Sequence, residues 1–261
     1  MTSVLSQTSA LPLKEPDTAV LISQLCFSYP DRTDVINSLS LRIATGERVG
    51  LVGHNGCGKT TLFMTLCGAL APTAGEIWLY GEPVTPGQFH PQIGLLFQDP
   101  DDQLFSASVK DDIGFGPLNM GLAEDLIQTQ VAAALSVTGI EHLSDRPPHH
   151  LSGGEKQMVA IAGLLAMQPH IVLYDEPTAS LDIRSRRRLI NFMRELEQTM
   201  LIASHDLEFV LEVCDRVVVM HQGEIVADGE PREIMGDEAL MLAYELEKPH
   251  SLVPHVFPHH D

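Results

Sequence analysis

The chain has 261 residues, 44% hydrophobic and 20% charged, a composition suited to one sizeable globular core with room for a subdomain. Its 35 acidic residues outweigh 16 basic ones, and the net charge of −19 opposes binding to nucleic-acid phosphates or direct insertion into anionic lipid. The four cysteines form no CxxC pair, which argues against a zinc knuckle or a secreted disulfide framework, and no apolar run approaches the ~20 residues that cross a bilayer.

Residues 1–18 have neither the basic start nor the apolar centre of a signal peptide and read as a flexible leader. From Ala19 the pattern turns strand-like: AVLISQLCFSY (19–29), SLSLRI (38–43) and RVGLVG (48–53), punctuated by Pro30, Asp31 and Gly46. A glycine-rich turn opens the helical stretch KTTLFMTLCGAL (59–70), and EIWLYG and QIGLLF add short strands. Residues 107–168 change to helical periodicity, clearest in VAAALSVTGI and GEKQMVAIAGLLAM. Beyond them the strands IVLYD, TMLIAS, DRVVVMHQ and GEIVAD alternate with the helical stretches RRRLINFMRELEQ and DLEFVLEVC. No repeat of fixed period appears, which disfavours solenoids and propellers. An antiparallel layer, a parallel core and an inserted helical block define the expected fold class, α/β with a helical subdomain.

GHNGCGKTT (53–61) matches the phosphate-loop pattern G-x-x-x-x-G-K-[ST]. Gly53, Gly56 and Gly58 let the backbone curl into a nest of N–H groups, with His54, Asn55 and Cys57 between them. Lys59 supplies positive charge to β- and γ-phosphates, Thr60 offers a hydroxyl to Mg²⁺, and Thr61 completes the motif. A strand before and a helix after place the phosphates at a helix N-terminus. The bland reading is a glycine-rich connection, which this context disfavours.

IVLYDEPT (171–178) is an apolar strand ending in two carboxylates, delivered to the edge where α/β proteins bind ligands. Alternation sends the two side chains different ways, so Asp175 can hold Mg²⁺ while Glu176 polarises water as general base. Alone, such a pair reads as a solvated strand end. His205 ends TMLIASHD, a strand expected beside IVLYD, and can reach a γ-phosphate from there. LSGGEKQ (151–157) opens a helix with a hydroxyl and bare N–H groups at Ser152, Gly153 and Gly154, a second anion site distinct from the first. One phosphate loop and a separate anion site suggest a head-to-tail dimer.

With these motifs in order, residues 19–235 resemble the nucleotide-binding subunit of ATP-binding cassette (ABC) transporters. The resemblance implies a P-loop ABC-type ATPase domain that binds ATP and Mg²⁺, with a helical subdomain at about 99–168. It implies that Tyr29 stacks on adenine, that Gln98 links Mg²⁺ or the attacking water to a membrane partner, and that Glu155 belongs to the signature. Asp182 then resembles the dimer-contact aspartate, and His205 the γ-phosphate histidine. Core packing for Tyr29 and a surface polar role for Gln98 are the plain alternatives.

FQDPDDQLFSASVKDDIGFGPLNMGL (97–122) narrows the resemblance to the ATPases of energy-coupling-factor importers for cobalt, nickel or vitamins. Those partner an integral-membrane coupling subunit and a substrate-binding membrane subunit, which would hold this chain at the cytoplasmic face of the membrane. The intact motifs favour a homodimer, and a paralogous ATPase partner is the alternative. The aspartates after Gln98 do not complete a calcium loop, because Gln103 and Leu104 stand where a ligand and a glycine are needed. They read as a turn facing the membrane partner, with one acid pairing a basic coupling helix. Residues 236–261 read as a helix and a tail whose His250, His255, His259 and His260 are either metal-binding or incidental. The competing reading of the whole chain is a soluble cassette ATPase outside transport. A small-molecule kinase is disfavoured by LSGGEKQ.

Overall fold

The computed structural model describes residues 17–253 apart from Ser180, so residues 1–16 of the expected leader, and His255, His259 and His260, lie outside the described residues. The fold starts with a hairpin in which β1 (Thr18–Tyr29) and β2 (Arg32–Ala44) pair antiparallel across the Pro30–Asp31 turn. Along β2, Leu39, Leu41 and Ile43 are buried while Ser40 and Arg42 between them are exposed, the period of a sheet with one covered face. There follow β3 (Arg48–Val52), α1 (Lys59–Leu66), β4 (Ala74–Leu79), β5 (Glu82–Pro83) and β6 (Ile93–Leu96). The inserted block consists of α2 (Val109–Asn119), α3 (Glu124–Thr138) and α4 (Gly153–Ala166). The chain returns through β7 (Ile171–Asp175), α5 (Ile183–Glu195), β8 (Thr199–Ala203) and α6 (Leu207–Val213). It then closes with β9 (Arg216–His221), β10 (Glu224–Gly229), α7 (Pro231–Gly236) and α8 (Glu238–Ala243).

Two sheets result. One is antiparallel, in the order β2-β1-β4-β5. The other runs β10-β9-β3-β8-β7-β6, parallel from β9 to β6 with β10 as an antiparallel edge. This is the α/β class with an antiparallel layer and an inserted helical block that the sequence predicts.

The central strands are covered on both faces, which is why IVLYD is uninterruptedly apolar. Ile171 and Leu173 of β7 join the core between the sheets, with Leu62, Phe63 and Leu66 of α1. Val172 and Tyr174 face the opposite core, built with α4, α5 and α6. Because β3, β6, β7 and β8 run parallel, their C-terminal ends all reach one edge, and the side chains that follow them converge there.

Candidate active site

The phosphate loop leaves β3 and enters α1 under tight steric limits. A Cβ on Gly53 would lie 2.2 Å from the Met220 carbonyl oxygen. Gly58 sits at φ +114°, and a Cβ there would lie 2.7 Å from the carbonyl of Val35. The Lys59 ammonium is buried and donates to the carbonyls of Gly53 (2.7 Å) and His54 (3.2 Å), so the loop's own backbone fixes it. The His54 ring packs edge-on against His221 and Cys57 is buried, and neither these two nor Gly53 lines the nucleotide cleft.

Across the loop, Thr60 Oγ1 donates to Asp175 Oδ2 at 2.7 Å, joining the start of α1 to the end of β7. Asp175 is 4% exposed. Burial pushes its carboxyl above the ordinary carboxylate value, the Thr60 hydroxyl opposes this, and the neighbouring Glu176 adds to the rise. Glu176 is buried and holds a left-handed backbone, φ 49°, uncommon for a residue with a side chain and frequent where function fixes geometry. Its Oε2 accepts from the backbone N–H of His205 (3.1 Å) and from Nδ1–H of the same residue (2.7 Å). His205 thus orients Glu176, a contact that strand order alone does not reveal. Asp206 in turn fixes His205's segment by capping α6 and receiving a two-pronged bond from Arg186, at 2.6 and 2.9 Å.

Tyr29, Asn55, Gly56, Gly58, Lys59, Thr60, Thr61, Gln98, Asp175, Glu176 and His205 line one cleft of about 360 Å³. The Tyr29 hydroxyl lies 3.3 Å from Thr61 Oγ1, and its ring meets Phe27 edge-on. Two further residues of the wall escaped the sequence reading, Val35 and Arg32, whose guanidinium donates to the Gly56 carbonyl at 2.8 Å. Arg32 pairs with Tyr29 in the hairpin register, and a two-residue turn after an aromatic was the available clue.

Ser152, Gly153, Gly154, Glu155 and Asp182 do not line this cleft. Ser152 caps α4 in a reciprocal box with Glu155: the Ser152 N–H and hydroxyl donate to Glu155 Oε2, at 2.8 and 2.7 Å. Those bonds hold the Glu155 carboxyl below its ordinary value. Asp182 caps α5 through the N–H groups of Arg184 and Ser185, which lower its carboxyl likewise.

The segment after Gln98 is a short turn capped by Asp99, whose side chain accepts from the Asp101 N–H. Asp101 is not free for an outside cation, because both its oxygens receive Lys156 Nζ of α4, at 2.6 and 2.9 Å. Among the described residues no group of three or more His, Cys, Asp or Glu could hold a metal ion. Beyond this turn lies an apolar groove of about 730 Å³ between β6 and the helical block, bordered by Phe89, Phe105 and Phe115. Asp112, 8% exposed, lines it; its Oδ1 accepts from the N–H groups of Phe105 and Ser106, while its buried Oδ2 has no partner among the described residues.

Residues 36–179 match the model of the ABC transporter family. A putative ABC transporter ATP-binding protein of Synechocystis is 59% identical over 90% of this chain and 82% of its own length. An energy-coupling factor transporter ATP-binding protein of Methanothermobacter thermautotrophicus is 43% identical over 87% of this chain and 76% of its own. The solved structure of CbiO1 from Clostridium perfringens, described as part of the ABC transporter complex CbiONQ, superposes with a TM-score of 0.76 at 40% identity, covering 87% of this chain and 94% of that one. Among the described residues no helix is long and apolar enough to cross a membrane.

Proposed function

Since the chain belongs to the ABC transporter family and is an ATP-hydrolysing cassette of it, we propose that it is the ATPase subunit of an energy-coupling-factor type importer, docked through a membrane coupling subunit at the cytoplasmic face. The observation that carries the catalytic part is the convergence of Lys59, Thr60, Gln98, Asp175, Glu176 and His205 on one cleft, with the Ser152–Glu155 signature outside it. A cleft that lacks its own signature calls for a second protomer to supply one, which makes the working unit a dimer with ATP between the subunits.

Thr60 and Asp175 present hard oxygen donors within hydrogen-bond distance of each other, a set that suits Mg²⁺, with Gln98 on the same wall. Mg²⁺ held there would offset charge on the β- and γ-phosphates. Lys59 and the loop's N–H groups bind those phosphates, and Tyr29 supports the adenine. Glu176 Oε2 is committed to His205, which leaves Oε1 to take the proton of the attacking water. His205, exposed at its side chain, contributes by orienting that base and facing the γ-phosphate.

Docking to a membrane subunit is supported by the groove beside Gln98. Its border of exposed aromatics, Phe89 and Phe105 with Phe115, suits an apolar helix. The subtype rests on the resemblance of residues 97–122 and on the energy-coupling-factor relatives. The C-terminal histidines His250, His255, His259 and His260 tilt the cargo toward cobalt or nickel ions, ahead of a vitamin. Glu176→Gln should keep ATP binding and lower turnover about 10²–10⁴-fold, and unchanged turnover would remove Glu176 as base. Co-purification with a polytopic membrane protein, lost in Phe105→Asp at an exposed position of the groove, tests the importer reading against a soluble cassette.

A further inference from the structure

The nucleotide cleft has walls of two origins. Lys59, Thr60, Asp175 and Glu176 belong to the parallel core, whereas Tyr29, Arg32 and Val35 come from the β1–β2 hairpin. No motif gives Arg32 a role, yet with Lys59 it is the only Lys or Arg among the described residues that line the cleft. The hairpin is seated directly against the phosphate loop, since the carbonyl of buried Val35 lies 2.7 Å from where a Cβ on Gly58 would stand. That seating brings the Arg32 guanidinium to Gly56. Nη2 donates to the Gly56 carbonyl at 2.8 Å, and Nη1 lies 4.0 Å from where a Gly56 Cβ would stand. A guanidinium has five N–H donors, and this bond uses one of them. Arg48, Arg186, Arg187 and Arg216 each hold a carboxylate. Asp31 and Asp34 flank Arg32 in sequence, but it is exposed and forms no ion pair among the described residues.

We propose that Arg32 binds the phosphate chain of the nucleotide, as a second cation beside Lys59; this rests on reading the cleft as the ATP site. The planar fork of a guanidinium matches phosphate oxygens, and Gly56 belongs to the loop whose N–H groups cradle them. Asp175 and Glu176 repel phosphates across the same cleft, and a second full charge offsets that repulsion. Neither adenine nor ribose calls for a full positive charge. Tyr29 and Arg32 are partners in the hairpin register, so one short turn carries both the support for the base and the clamp on the phosphates.

Binding of ATP, ADP and adenosine to the full-length protein, with EDTA present to prevent hydrolysis, tests this in the parent, Arg32→Gln and Arg32→Lys. At about 0.05 M salt, Arg32→Gln should weaken ATP and ADP about tenfold and leave adenosine unchanged. At about 0.5 M salt that loss should shrink to about threefold or less, because screening already weakens the contact in the parent. Arg32→Lys keeps the charge without the fork and should lose no more than about threefold at low salt. A loss in Arg32→Gln that is the same at both salts would overturn the proposal, leaving Arg32 as a neutral hydrogen-bond latch on Gly56. An equal loss for adenosine would overturn it in favour of a contact to base or ribose, and undiminished ATP affinity would remove Arg32 altogether. A parent that binds no ATP at all would instead take down the reading of the cleft itself, and the proposal with it.

Discussion

Asp175→Asn separates what the nucleotide cleft costs from what it does. Asp175 is 4% exposed, its carboxyl accepts a hydrogen bond from Thr60 at 2.7 Å, and Glu176 follows it directly. Its carboxyl is raised, first by burial, so the folded state binds a proton more readily than the unfolded chain. Above the folded value this destabilises the protein, and the loss shrinks as pH falls toward the ordinary carboxylate range. Asn keeps the shape and an oxygen for the Thr60 hydroxyl while removing the buried charge. The nucleotide-free variant should therefore gain about 1–2 kcal/mol at neutral pH, with a melting temperature higher by roughly 2–8 °C. Differential scanning calorimetry at several pH values should show the gain vanishing at acid pH. Added Mg-ATP should raise the melting temperature of the parent protein but much less that of the variant, which also loses hydrolysis. A nucleotide-free variant no more stable than the parent at neutral pH would refute the reasoning.

Gly53→Ala places a Cβ 2.2 Å from a backbone carbonyl and should cost about 1–3 kcal/mol in chemical denaturation, together with weakened ATP binding. Arg186→Ala leaves the partly buried Asp206 without its two-pronged partner and should cost about 1–3 kcal/mol. Burial alone would push the Asp206 carboxyl up, but Arg186 and the Phe209 N–H outweigh it and hold it below the usual value. The pair's stabilisation is therefore present above the ordinary carboxylate value and lost as pH falls through the lowered one, so the variant should unfold less steeply in acid. Thiol labelling of the native protein at mildly alkaline pH should spare Cys67, pushed up to about 12 by burial, and Cys57 and Cys214, raised by the same cause.

The fold was readable in the sequence wherever burial imposed a pattern. IVLYD and TMLIA are covered on both faces and appear as apolar runs, while the alternation of LSLRI shows a strand covered on one. The two-residue β5 and six-residue α7 are too short to carry a period. In the cleft, residues named by motif came together because parallel strands share one edge. Arg32 and Val35 belong to no motif, and their place depends on hairpin register. The pairing of His205 with Glu176 depends on side-chain direction across two strands, and that of Asp101 with Lys156 spans 55 residues of sequence. No local pattern encodes either contact.

The Asp101–Lys156 pair joins two segments with different clients. The turn that Asp101 belongs to follows Gln98, on the wall of this protomer's own cleft, whereas Lys156 lies one residue beyond the Ser152–Glu155 box, which does not line that cleft. In a head-to-tail dimer that box would serve the neighbour's nucleotide. With Asp101 exposed to solvent, the ion pair is screened by salt, so the tie between the two segments loosens as ionic strength rises.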